Sequence, residues 1–277
     1  MACEDTLAQG AGFELPEIFA HLLEAEKLLT MVVPVQGQCF VEVCAGEGVA
    51  ALGVMFARIP CIKPWDAVYG ESFSLLGPDG RILMECARQG KLSSGHAGAP
   101  CQTMTPARWP PLRSMQFLDG LPGLPPEKAE LVQVANDLVW WTVQWCMTLW
   151  AAGAFFSWEN PWLSMLWWFA TAIELYMLEG VIATVFRQQE YHVPWEKMTL
   201  YLHNYPTYNE LNSGRVLGPP TVVLRGLCWY KGSWIFKTKL SQTYPVDLGV
   251  KKGELAHRAL EQRCNALEKG YPVPMAL

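Results

Sequence analysis

Charge is scarce in this chain: Asp, Glu, Lys and Arg make up 17% of its 277 residues and leave a net charge of −5. A surface with no basic excess excludes bulk electrostatic attraction to nucleic acid, so any such contact must be local. Paired metal ligands are missing as well. The nine cysteines (Cys3, Cys39, Cys44, Cys61, Cys86, Cys101, Cys146, Cys228 and Cys264) stand singly, with no Cys-x-x-Cys and no zinc-type Cys/His spacing. Their odd number and the acidic start, which lacks a basic and apolar leader, predict reduced thiols in an intracellular protein, nuclear or cytoplasmic and not secreted. There is no internal repeat and no low-complexity tract. What is abundant is apolar side chain, 51% of residues, enough for the core of one sizeable α/β domain.

One uncharged run, residues 138–156, reaches the length of a membrane-spanning helix. Thr142, Gln144 and Thr148 interrupt it and Asp137 and Glu159 flank it, so the reading is a buried helix followed by a buried strand rather than a membrane segment.

Periodicity and turn residues lay out the rest. An amphipathic helix is expected over 16–30, a strand over 38–43, a glycine turn at 44–48 and a helix over 49–57. A second strand follows over 61–68, a helix over 83–89 and a third strand over 91–96, then a proline-dense loop from 100 to 126. Beyond it come a helix over 127–149, a strand over 154–157, a Trp-rich helix over 164–178, strands over 181–186 and 197–203, a small β region over 221–228 and 233–238, and a closing helix over 254–269. Strand, glycine turn, helix is the opening unit of a doubly wound, Rossmann-like α/β sheet. The domains divide as 1–35 (tail and helix), 36–205 (core) and 206–277 (small β region and closing helix packed on the core).

Three short stretches carry chemistry. In Cys44-Ala45-Gly46-Glu47-Gly48 two glycines allow a tight bend and close ligand approach at a helix start, which suits an adenosine-bearing cofactor and equally a plain strand-to-helix turn. Asp66, near the end of the next strand, is a candidate acceptor for ribose hydroxyls or an ordinary loop carboxylate. Cys101 follows Pro100 in a Pro/Gly-rich loop; a lone cysteine is most often an inert buried thiol, but loop N–H groups there would favour the thiolate. Glu159, leaving an apolar strand end, is a general-acid candidate, and Glu159-Asn160-Pro161 also reads as a helix start. The local basic candidates are Arg108 and Arg113 after the cysteine loop, then Arg225, Lys231, Lys237 and Lys239, then Lys251, Lys252, Arg258 and Arg263. Most of these are ordinary solvated charges.

In this order, Cys44-Ala45-Gly46-Glu47-Gly48, Pro100-Cys101-Gln102 and Glu159-Asn160-Pro161 resemble the motifs of the DNA cytosine-5 methyltransferases: Phe-x-Gly-x-Gly, Pro-Cys-Gln and Glu-Asn-Val. The stretch beginning Tyr191-His192-Val193-Pro194-Trp195-Glu196-Lys197 is similar to that family's Tyr-Gly-Val-Pro-Gln-x-Arg-x-Arg run. The likeness covers about residues 38–204. It departs at Pro161 for valine, Trp195 for glutamine, and Lys197 and Thr199 for the two arginines. The chain looks more like the compact, divergent methylase-like domains associated with mobile elements than like a restriction-system enzyme.

The resemblance implies the sheet of S-adenosylmethionine-dependent methyltransferases, mostly parallel with an antiparallel strand in the C-terminal half. It implies S-adenosylmethionine at Cys44, Ala45, Gly46, Glu47, Gly48, Asp66 and Pro100, and duplex DNA with a flipped cytosine near Gln102, Arg108 and Arg113. Cys101 would add to C6 of the base, Glu159 would protonate N3, Asn160 would orient that edge, and Lys197 would be the remaining cation. With only about seventy residues after 202, sequence specificity is expected to be low or supplied by a targeting partner protein. The other readings are a methyltransferase-fold module without turnover that binds nucleic acid or acts as a scaffold, and a membrane-associated protein, which rests only on the Trp-rich helices.

Overall fold

Cys-Phe-Val-Glu-Val, a β-rich run, forms strand β1 (Cys39–Val43), buried along its whole length. It opens a computed structural model that describes residues 39–269 apart from 216, 231, 232 and 243; the helix expected over 16–30 lies outside the described residues. After β1 come helices α1 (Val49–Phe56) and α2 (Pro78–Arg88), strand β2 (Leu92–Ala97), helix α3 (Pro126–Ala151), strand β3 (Phe155–Pro161) and helix α4 (Ala170–Tyr176). Strands β4 (Ile182–Arg187) and β5 (Met198–His203), the hairpin β6 (Leu227–Tyr230) and β7 (Ser233–Phe236), and helix α5 (Val246–Glu268) complete the order.

The main sheet has five strands in the order β1-β2-β3-β5-β4, with β5 antiparallel to both of its neighbours and β1, β2 and β3 mutually parallel. This is a mixed α/β fold with a mostly parallel sheet, compatible with a Rossmann-like arrangement. The strand expected over 61–68 does not form. That segment touches β1 only through the parallel bridges Phe40–Cys61 and Val43–Trp65, then turns into a short 3-10 helix at Ala67–Tyr69. Pro60 and Pro64 have no N–H to give a ladder, which explains the isolated bridges. Because the segment lies on the edge of β1 away from β2, the chain reverses its direction of travel across the sheet at β1. Such a switch point leaves a crevice at the carboxyl ends of the strands.

Strand register divides the sheet into two unlike faces. Val41, Val43, Ala97, Phe156, Trp158, Leu200 and Leu202 belong to a hydrophobic core shared with Trp145 and Leu149 of α3. Gly95 makes this approach possible, since a Cβ there would stand 2.2 Å from the Trp145 ring. The alternate residues form a polar stripe: Glu42 pairs with His96, His96 with Ser157, and Glu159 with Tyr201.

α1 and α5 cover this second face. Their backbones meet at three glycines: a Cβ on Gly53 would fall 1.8 Å from the Gly249 carbonyl oxygen, and one on Gly253 would fall 2.0 Å from that of Gly53. α5 starts at Val246, not at 254 as expected. Its first two turns carry Gly249 and Gly253, poor helix formers that are retained because only they permit this contact.

The uncharged run over 138–156 is split by Gly153, whose φ of 68° ends the helical region before β3 begins. No helix among the described residues is long and apolar enough to cross a membrane. The Trp-rich helix expected over 164–178 is also divided, into a 3-10 turn at Met165–Trp168 and α4. Phe169 between them takes an extended backbone, with its ring 5.8 Å from the Arg113 guanidinium.

Candidate functional site at the strand ends

The loop after β1 bends through Cys44, Gly46 and Gly48, with φ of 51°, 53° and 70°. Positive φ is where glycine is favoured, so the two glycines meet a backbone demand. Gly46 and Glu47 are exposed, and an added Cβ on Gly46 would meet nothing within 4 Å. Ala45 and Gly48 are buried, and burial followed by the charge of Asp66 pushes the Cys44 thiol up to about 12.

Asp66 does not present a free carboxylate. One oxygen accepts from the Gly46 N–H at 2.9 Å and the other from the Val68 N–H at 3.0 Å, while the Tyr69 hydroxyl donates to the Gly46 carbonyl. Its observed role is to brace the glycine loop. Nor is the start of α1 wholly open to a ligand, because buried Glu42 accepts from the Ala51 N–H at 2.6 Å from beneath. Burial raises the Glu42 carboxyl to about 7. The open part of the loop is therefore its exposed turn around Gly46 and Glu47.

The loop after β2 lies beside it, with the Gly98 N–H donating to the Val43 carbonyl at 3.1 Å. Pro100 and Gln102 are exposed and Cys101 is half-buried. The Cys101 thiol is pushed up by burial and lies within the electrostatic reach of both Lys197, which opposes that rise, and Glu159, which adds to it. A backbone N–H at Cys101 favours the thiolate, as expected of this loop, and among the neighbouring side chains Lys197 favours it too. Lys197 Nζ stands 3.7 Å from Glu159 Oε1 and donates to the Ser241 carbonyl at 3.1 Å. Cys101, Glu159 and Lys197, brought from three elements far apart in sequence, share one locale at the carboxyl ends of β2 and β3.

Two expected site residues act differently. Strand alternation turns Asn160 to the opposite side of the sheet from Glu159, where its amide donates to the Ala99 carbonyl at 2.8 Å. It anchors the cysteine loop instead of sharing an edge of a base with Glu159. Arg113, expected at a nucleic-acid surface, is only 2% exposed. Its guanidinium donates to Thr103 Oγ1 at 3.0 Å, the Val132 carbonyl at 3.1 Å and Asn136 Oδ1 at 2.6 Å, tying the cysteine loop to α3. Desolvation there holds its pKa down, at about 10. Arg108 remains half-exposed, with Nη1 3.5 Å from the Gln102 carbonyl.

Residue patterns missed two members of the site, Tyr244 and His96. Tyr244 donates to Glu159 Oε2 at 3.0 Å, and its hydroxyl oxygen stands 3.0 Å from His96 Nε2. Gly98 makes room for it, since a Cβ at 98 would lie 3.0 Å from that hydroxyl. Buried Lys252, lowered to about 7 by desolvation, sits 5.0 Å from the Tyr201 ring centre and 5.4 Å from that of Tyr244. The one signal within reach was a titratable side chain in the strand that leads into the cysteine loop, which the β1–β2 register puts on the same face as Glu42. Tyr244 arrives from 85 residues beyond Glu159 and had none.

No protein-family profile matches this chain, and no curated protein matches it.

Proposed function

We propose that this protein transfers a methyl group from S-adenosylmethionine to C5 of cytosine in DNA through a covalent Cys101 adduct. The observation that carries the reading is the meeting of Cys101, Glu159 and Lys197 at the strand ends beside the glycine loop. The motif order supports it. So does His192, which stands where the similar family pattern has glycine and takes a left-handed backbone with φ of 61°.

The exposed turn at Gly46 and Glu47 fits the cofactor: the backbone is open there, and the Glu47 carboxylate suits a ligand's ammonium group. When bound, S-adenosylmethionine would supply the methyl group. The chain's own residues do the rest. The Cys101 sulfur, having lost its proton, adds to C6 of a cytosine swung out of the duplex, and the electron pair it displaces makes C5 nucleophilic. Glu159 donates a proton to N3 and offsets the charge that develops on the ring; loss of the C5 proton to water and return of the N3 proton then break the S–C6 bond and free Cys101. Lys197 favours the Cys101 thiolate and holds the Glu159 carboxylate. Asn160 and Arg113 fix the loop that carries the sulfur, and Asp66 fixes the loop that faces the cofactor.

The test is incubation with labelled cofactor and duplex DNA beside Cys101→Ala. Label in cytosine that disappears in the variant is the expected result; label independent of Cys101 removes the mechanism. The burial that keeps Cys101 a thiol favours a second reading, a nucleic-acid-binding module of this fold without turnover. S-adenosylhomocysteine and DNA binding with no labelled cytosine would select it.

A further inference from the structure

We infer that Tyr244 and His96 are positioning residues that hold the Glu159 carboxyl through a hydrogen-bonded line, Glu159–Tyr244–His96–Ser157, whose direction reverses as Glu159 gains or gives up a proton. The inference rests on the reading of Glu159 as the acid of the site.

The line is short at every link: Tyr244 Oη to Glu159 Oε2 is 3.0 Å, Oη to His96 Nε2 is 3.0 Å, and His96 Nδ1 to Ser157 Oγ is 2.8 Å. His96 and Ser157 are fully buried. Burial, with the Lys252 charge, holds the His96 imidazole well below the ordinary histidine range. A neutral imidazole has one donating and one accepting nitrogen, so its tautomer sets the direction of the whole line.

With Glu159 ionised, Tyr244 donates to the carboxylate, His96 Nε2–H donates to Tyr244, and the Ser157 hydroxyl donates to Nδ1. With the proton on Oε2, the carboxyl donates to Tyr244, Tyr244 donates to Nε2, and Nδ1–H donates to Ser157. One proton is added in all: the Tyr244 proton passes to Glu159, the Nε2 proton to Tyr244 and the Ser157 proton to Nδ1, the imidazole stays neutral, and the proton supplied by solvent restores the Ser157 hydroxyl. Each member keeps a partner in both states, so the carboxyl holds its place while its charge changes. The other titratable groups facing the line are Lys252 of α5, Glu42 of β1, Tyr201 of β5, Tyr208 beside Ser157, Lys197 and Cys101.

The experiment uses the full chain with nitrogen-15 in its histidine rings. The His96 signals, assigned by their loss in His96→Gln, are followed across an acid titration. The Glu159 carboxyl is followed by difference infrared spectroscopy, assigned with Glu159→Gln. The expected result is that His96 changes from Nε2–H to Nδ1–H over the same pH interval in which Glu159 takes up its proton. Tyr244→Phe, or Gly98→Ala if that variant does not fold, should abolish the tautomer change. Tyr244→Phe should also slow methyl transfer by about tenfold, with S-adenosylhomocysteine affinity unchanged. A constant tautomer while Glu159 titrates, or a switch that persists in Tyr244→Phe, overturns the inference. Methyl transfer measured in parallel separates the two proposals. A wild type that shows the coupled tautomer but never labels cytosine loses the methyltransferase reading alone, and one that labels cytosine without the coupling loses the relay alone.

Discussion

Lys197 and Arg113 show how differently two cations beside the same loop can act. Lys197 lowers the work of ionising Cys101, so Lys197→Met should raise the thiol's pKa further. Ionisation of a thiol increases with pH, so the alkaline rise of the methyl-transfer rate should move to higher pH in this variant. A pH profile unmoved by the substitution would separate Lys197 from the thiol. Arg113 bonds only to protein among the described residues, and Arg113→Met would leave the Val132 carbonyl and the Thr103 hydroxyl without this donor. Hydrogen bonds to a charged group are worth about 1.5–3 kcal/mol each, so a stability loss of that order is expected in a denaturant titration. The salt dependence of DNA binding should not change. Half-exposed Arg108 should behave in the opposite way: Arg108→Ala keeps stability and lowers the salt slope by about one contact.

Among the elements, the crossing of α1 and α5 ties the C-terminal helix to the glycine loop. Gly53→Ala places a methyl group where the Gly249 carbonyl stands, and backbone cannot step aside as a flexible side chain can. The helices must separate, at about 1–3 kcal/mol for overpacking, and α1 carries the end of the glycine loop with it. Both a lower unfolding midpoint and weaker S-adenosylhomocysteine binding are therefore expected from Gly53→Ala. Gly218→Ala, with nothing within 4 Å of its added Cβ, is the matched control and should change neither. Calorimetry and a binding titration on the pair check this.

At the scale of the whole molecule, the polar stripe under α1 and α5 makes folding sensitive to acid. Burial lowers the His203 pKa from 6.5 to about 4, while its Nε2 lies 2.9 Å from Thr184 Oγ1. A folded value below the unfolded one means that the unfolded chain binds more protons between the two, so stability falls as pH drops from 6.5 towards 4. For His203 the loss is on the order of 3 kcal/mol across that window. His96 is lowered in the same direction and adds to it, whereas Glu42, raised to about 7 by burial, opposes it by binding its proton more readily when folded. Denaturation at pH 7 and at pH 4.5 should show the wild type losing more stability on acidification than His203→Gln. Equal losses would remove the histidine from this account.

Local pattern was enough for what depends on neighbours in sequence. A β-rich run became β1, short apolar stretches led to β2 and β3, and glycines marked the turn after β1. The strand expected over 61–68 does not form because Pro64 within it and Pro60 just before it lack the N–H groups of a ladder. Side-chain direction and long-range approach needed the tertiary structure. Alternation along β3 sent Asn160 away from Glu159, packing on α3 took Arg113 out of solvent, and Gly249 and Gly253 fall inside the last helix, where they let α1 approach. Tyr244 and His96 entered the site because the polar face of the sheet is closed by chain from far along the sequence. A residue's chemistry is local, but its partners are set by which surfaces the folded chain presses together.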